Sequence, residues 1–337
     1  MRGVIRPQRS ACALMKFGLG FILIQSFCLA LCAGQEAPNS DAANSSKGPV
    51  SHEVVQTDTV LRVRSDLVLI PVTVTDRSGK AVSGLAKEHF TLFEGDAQQK
   101  ITHFTSEDTP ASVGIIFDVS DSMGPKLNKA REAVNALLSD ANPNSEFFLV
   151  TFSTRAAVIV PMTNRPEEIR KSVEGLRADG STALLDGVRL GMTEMEHARY
   201  TRKALIIISD GEDNSSHWTV SALKAAVRQQ DILIYSIAIT DPVGPNVSWT
   251  QRMGEALLKE IAGQTGGRMF SVIKLQQLPE IADKISGWLR NQYVLGYVPD
   301  RSAMDGTYRT VRLKVVRPKG YPRLHAVWRQ GYYAPKE

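Results

Sequence analysis

Asp118-Val119-Ser120-Asp121-Ser122 sets a carboxylate and two hydroxyls at alternate positions of one short segment. The apolar run SVGIIF at 112–117 leads straight into it. Oxygen donors of this mixed kind suit a hard divalent cation, Mg²⁺ or else Ca²⁺ or Mn²⁺. Taken alone, D-x-S-x-S also describes the capped start of a helix, with Pro125 near the first turn. Two further pieces favour the metal. Thr182 follows Gly180-Ser181 just before a helical stretch that begins at Leu184, and the apolar run at 205–209 ends in Asp210-Gly211. Asp210 therefore leaves a strand end of the same kind as Asp118.

These donors meet only if the elements behind them are the right ones. From residue 111 onward, apolar strands alternate with amphipathic helices. Strands are expected at 112–117, 147–152, 157–160, 203–209, 232–239 and 269–272, with helices at 126–138, 184–197, 220–229 and 275–289 and one ending at 257–262. Near-continuous apolar strands between helices predict an α/β fold with a doubly wound, mostly parallel sheet. In such sheets sites form outside the carboxyl ends of the strands, which is where Asp118 and Asp210 fall. On either side the chain reads as β. Strands are expected between 60 and 75, at 90–94 and at 99–104 before the α/β unit, and in QYVLGYVP, YRTVRLKVV and HAVWRQGYY after it. Each set is too small to bury much surface alone, so the two are expected to pair as a small flanking β-sandwich-like module.

The three pieces DVSDS, GST and SDG resemble the metal-ion-dependent adhesion site of the von Willebrand factor A family, with all five donor positions present. That resemblance implies that Ser120 and Ser122 bind the cation through their hydroxyls. Thr182 would bind directly or through water, and Asp118 and Asp210 would ligate or hold coordinated waters. It also implies that an Asp or Glu from a protein partner completes the shell. Asp121 fills a variable position. The flanks IPVTVTDRSGKAVSGLAKEHFTLFEGDAQQKI, YVLGYVPD, DGTYRTVRLKVV and RQGYYAP carry a narrower resemblance, to bacterial von Willebrand factor A-related domain proteins of acidobacterial type, over about residues 58–335. Glu94-Gly95-Asp96 departs from the usual Glu-Asp-Gly order there.

The first 34 residues read as a signal peptide: Arg2, Arg6, Arg9 and Lys16 precede the apolar run FGLGFILIQSFCLALCA. The run is slightly short for a membrane span, so the mature chain is expected to cross no membrane and to be secreted or to reside in the bacterial periplasm or envelope. Residues 35–56 read as a linker. The remaining parts are a β-rich stretch at 58–106, the A-type domain at 111–290 and a second β-rich stretch at 293–335. Without the leader the formal charge of +5 falls to +1, since four basic and no acidic residues leave with it. No dense basic patch then invites nucleic acid. Cys12, Cys28 and Cys32 also leave, which excludes a disulfide, a cysteine-held metal or a cysteine nucleophile from the mature chain.

No G-x-S-x-G, H-E-x-x-H or phosphate-loop pattern appears. Asp186 reads as helix-terminal electrostatics, His217 as a surface residue, and Glu212 and Asp213 as solvated loop residues. The expectation is a non-enzymatic, metal-dependent protein-binding module. The alternatives are a metal-assisted hydrolase and an envelope scaffold whose binding ignores metal.

Overall fold

In the computed structural model the described residues are 67–240, 249–299 and 305–334. The expected signal peptide and linker lie outside them, as do residues 60–66 of the first expected strand. The strands before the α/β unit are β1 (Val68–Thr75), β2 (Phe90–Glu94), β3 (Ala97–Gln99) and β4 (His103–Thr105). The unit itself runs β5 (Ser112–Asp118), α1 (Leu127–Ser139), β6 (Glu146–Phe152), β7 (Ala156–Thr163), α2 (Pro166–Gly175), α3 (Leu184–Glu194), β8 (Lys203–Ser209), α4 (Val220–Gln229), β9 (Leu233–Ile239), α5 (Trp249–Thr265), β10 (Met269–Val272) and α6 (Leu278–Arg290). The chain closes with β11 (Tyr293–Tyr297), β12 (Tyr308–Val315), β13 (His325–Trp328) and β14 (Gly331–Tyr333).

The central sheet has the order β10-β9-β8-β5-β6-β7, parallel except for the antiparallel edge strand β7. Its strands are apolar on both faces because both faces are covered. Ile115 and Phe117 face α1 and α6, while Ile116, one residue out of phase, faces α3. Gly114 lets this packing close: a Cβ there would stand 2.2 Å from the Phe148 ring.

The β-rich stretches on either side of the unit interleave rather than stand apart. One four-stranded sheet runs β13-β1-β11-β4 and a second runs β14-β12-β2-β3. They share one apolar cluster, with Ile70, Val72 and Leu295 from the first sheet and Leu92, Val311 and Leu313 from the second. Phe90 and Tyr293 meet at 5.1 Å between ring centres. Glu94 Oε2 accepts from Tyr297 and Tyr332 at 2.6 and 2.8 Å, one from each sheet.

Three expectations about elements need correction. The strand expected at 99–104 is two short strands in different sheets, and the run 325–333 likewise divides into β13 and β14. Each crosses from one sheet to the other midway, which breaks the alternation. The helix α2 was not anticipated, although Pro166 at its start and Glu167 and Glu168 in its first turn are ordinary start signals. No helix among the described residues is long and apolar enough to cross a membrane.

Trp288 joins the two parts of the structure. Its ring lies between Tyr235 and Phe270 at 6.0 and 5.2 Å, and its Nε1 donates to Gly79 O at 2.8 Å. Trp288→Ala is expected to cost about 3–5 kcal/mol in urea denaturation, because it leaves a cavity and breaks the tie to the 76–79 turn. A loss below about 1 kcal/mol would mean that the site collapses around the truncation.

Candidate metal site

Register decides which side chains meet at the carboxyl edge. Phe117 pairs with Ile208 across the parallel strands β5 and β8, so Asp118 and Ser209 fall side by side one step later. Ser209 Oγ accordingly donates to Asp118 Oδ2 at 2.6 Å. Asp118 Oδ1 accepts from the Ser120 N–H at 2.9 Å and from Ser120 Oγ at 2.6 Å. The Asp118 carboxylate is thus buried and held by three hydrogen bonds.

Those bonds fix the neighbouring hydroxyls. Ser120 spends its one proton on Asp118, so the 3.2 Å contact between Ser120 Oγ and Ser122 Oγ is donated by Ser122. One lone pair of Ser120 then takes the Ser122 proton, and the other, with those of Ser122, is left for an electrophile. Cis oxygens of an octahedral ion stand about 2.9 Å apart for Mg²⁺ and about 3.4 Å for Ca²⁺, taken from their bond lengths. A separation of 3.2 Å fits an edge of either shell.

Asp210 completes the charge pattern. Burial first, and then the charge of Asp210, push the Asp118 pKa up to about 6. Asp210 is itself buried and its Oδ2 accepts from Lys126 Nζ at 3.1 Å. Gly211 turns the chain after it at φ +86°, and α5 docks on that turn backbone to backbone. A Cβ on Gly254 would lie 1.5 Å from Gly211 O.

Thr182 is tied by its backbone to the loop that follows Asp210. Its N–H donates to Asn214 Oδ1 at 2.8 Å, and its carbonyl accepts from Asn214 and Ser215. Gly180 O accepts from the Asp121 N–H at 3.0 Å, and the Asp179 N–H donates to Val119 O at 2.8 Å. Of the five expected donors, the side chains of Asp118, Ser120 and Ser122 are in direct contact. Asp210 is adjacent electrostatically, and Thr182 is buried in a loop tied to both neighbouring loops.

Other residues hold this arrangement. Asp213 is not a solvated loop residue: it accepts from the Leu184 N–H at 2.9 Å and from Ser216 Oγ, and so caps α3. Asp186 accepts from the N–H groups of His217 and Trp218, each at 3.0 Å, and from the exposed His217 ring. The sequence reading missed Ser209 and Lys126. A lysine at the start of a helix, where the dipole disfavours it, was the available signal for Lys126.

Among the described residues no three His, Cys, Asp or Glu side chains cluster as a metal cage. Two carboxylates with serine and threonine hydroxyls form a different donor set, and its chemistry fits a hard divalent ion.

Residues 112–284, just over half of the chain, match the von Willebrand factor type A domain family. An uncharacterized protein of Borreliella burgdorferi is 23% identical over 198 residues, covering 52% of this chain and 57% of that one. Inter-alpha-trypsin inhibitor heavy chain H4 of Bos taurus is 28% identical over 116 residues, 31% of this chain and 13% of that protein. The chain thus spans less than two thirds of the length of either. A solved von Willebrand factor type A structure from Catenulispora acidiphila is 14% identical, covers 82% of this chain and 75% of its own, and superposes with a TM-score of 0.47.

Lys126→Met strips Asp210 of its buried cation beside a second buried carboxylate. The expected loss is about 3–5 kcal/mol by thermal or urea denaturation in the presence of a chelator. Adding Asp210→Asn should recover much of it, because the charge that needs the lysine has gone. Additive losses in the double variant would show that the two side chains do not depend on one another.

Proposed function

The chain belongs to the von Willebrand factor type A domain family, and on that premise we propose that it is an exported binding protein. In this reading Asp118, Ser120, Ser122, Thr182 and Asp210 hold one divalent cation, Mg²⁺ or else Ca²⁺ or Mn²⁺, which grips an Asp or Glu side chain of a protein partner. Members of this family commonly mediate protein binding. The observation that carries the reading is the Ser120–Ser122 hydroxyl edge, fixed at 3.2 Å by the buried Asp118.

The bound cation would supply an electrophile facing the partner. The protein's own residues do the rest. Asp118 takes the proton of the Ser120 hydroxyl, which keeps a lone pair for the cation, and Ser209 holds Asp118. Asp210 adds negative potential, and Lys126 keeps that carboxylate oriented. Two carboxylates and one ammonium carry a net charge of −1, which a divalent ion turns to +1. A partner carboxylate then meets net positive charge in a partly desolvated setting, a stronger contact than a neutral amide makes.

Binding is favoured over hydrolysis by the state of Asp118. Both of its oxygens already accept hydrogen bonds from the chain, so it is committed to structure rather than poised as a base. The exported location rests on the apolar run at 17–33.

Titration calorimetry with Mg²⁺, Mn²⁺ and Ca²⁺ tests the reading. Wild type should bind, and a hundredfold excess over the dissociation constant should stabilise the fold by about 2.7 kcal/mol. Asp118→Ala and Asp210→Ala should lose binding, while Ser120→Ala should weaken it less because water replaces a neutral donor. Unchanged affinity in Asp118→Ala would make the segment a helix cap and end the metal-dependent reading. Capture of envelope proteins that is indifferent to chelator would favour the scaffold instead.

A further inference from the structure

The two outer strands of the central sheet differ in how they meet solvent. β7, on one side, carries Pro161 and departs twice from regular register against β6. Both features discourage a further strand from pairing there. β10, on the other side, has neither.

Register shows what β10 leaves open. Ser236 N donates to Arg268 O and Thr240 N to Val272 O, so the bonds to β9 run through the even-numbered residues. Met269 and Ser271 therefore point their N–H and C=O groups away from β9, and among the described residues no strand pairs with them. Ser271 is exposed and borders a cleft of about 720 Å³. The other walls of that cleft come from α6, the 76–79 turn and β13, itself an outer strand.

The charges in the cleft decide the kind of occupant. Asp76 Oδ1 accepts from the N–H groups of Ser78 and Lys80 and from Ser78 Oγ, and Glu280 pairs with Lys284 at 2.8 Å. Both acids of the lining are thus committed. Arg77 and Arg268 line the cleft too, and neither has an ion pair among the described residues. Arg268 is exposed and shares its side of β10 with Phe270, whose ring centre lies 5.7 Å from the guanidinium carbon. A strand laid along β10 would bring one of its own side chains beside Arg268.

We propose that β10 receives an extended acidic segment of a partner polypeptide, which pairs with Met269 and Ser271 as a seventh strand and sets a carboxylate against Arg268. Main-chain hydrogen bonds supply the affinity, and the arginine selects the sequence. β9 and β8 stand between β10 and the strand that carries Asp118. The cation plays no part here, so this reading and the metal-dependent one stand or fall alone.

The test is calorimetry of the full chain, in the presence of a chelator, with the peptide acetyl-Thr-Val-Glu-Val-Glu-Val-Thr-amide. It should bind, and its counterpart with lysine in place of glutamate should bind at least about tenfold weaker. Arg268→Glu should reverse that preference. Ser271→Pro removes one outward N–H while the bonds to β9 remain, and should weaken the acidic peptide at least about tenfold. Methylating alternate backbone nitrogens of the peptide should abolish binding for one set and spare the other, because an added strand pairs along one side only. The methylated peptides and Arg268→Glu decide the matter even if Ser271→Pro fails to fold. Asp118→Ala should bind the peptide as wild type does. Absent binding, loss with both methylated sets or with neither, an unchanged preference in Arg268→Glu, or unchanged affinity in a folded Ser271→Pro would overturn the proposal. So would a chain that sediments as a dimer and becomes monomeric in Ser271→Pro, since a second copy would then hold β10.

Discussion

The structure of the carboxyl edge follows from one costly act, the burial of the Asp118 carboxylate at the end of a fully buried strand. A buried charge without partners is intolerable, so its surroundings must satisfy it. Ser120 N, Ser120 Oγ and Ser209 Oγ do so, and each bond has a second effect. The Ser120 bond fixes a buried hydroxyl beside that of Ser122. The Ser209 bond locks the ends of β5 and β8 to each other. A second buried acid, Asp210, would make matters worse by repulsion, and Lys126 reaches back from the start of α1 to offset it.

The parallel register is what makes this possible. Adjacent parallel strands end at the same edge, and the pairing of Phe117 with Ile208 sets Asp118 beside Ser209 rather than beside Asp210. One residue of slip would exchange those neighbours and place the two carboxylates directly opposite. Register is well specified here because both faces of the sheet are packed. Ile115 and Ile116 belong to different apolar clusters, so a slip would misplace both.

That logic was largely legible in the sequence. Strands with strong apolar runs, 203–209 and 269–272 among them, were readable to the residue, and helix 220–229 was too. The meeting of Asp118, Ser120 and Ser122 was legible too, because their segment follows a recognisable strand end. What escaped was non-local. Ser209 gains its role only from the strand beside it, and Lys126 only from an acid 84 residues away. Asp213 looks like an exposed loop acid until α3 presents its unpaired N–H groups. The divided runs at 97–105 and 325–333 were also illegible, since period-two alternation reports a buried face but not which sheet owns it.

The flanking sheets explain why the two edges of the α/β unit differ. Thr105 pairs with Val294 across β4 and β11, so the chain enters and leaves the unit at neighbouring ladder positions. Arg290 reinforces that closure, donating to Asp108 at 2.8 Å and to Asp140 at 3.1 Å. Arg202 does so again from the start of β8, binding Thr109 and the last turn of α6. These ties gather at the amino-terminal edge, where the strands begin. The loops at the carboxyl edge are free of that duty and are shaped instead by Asp118 and its partners. Joining the α/β unit to the β-sheets at one edge brings backbone and long basic side chains together where not every donor can be matched. The unpaired nitrogens of Gln292 and Arg202 are the residue of that junction. Those unmatched nitrogens and the hydroxyl edge at Ser120 thus have one origin, a unit tied to the β-sheets at the end where its strands begin.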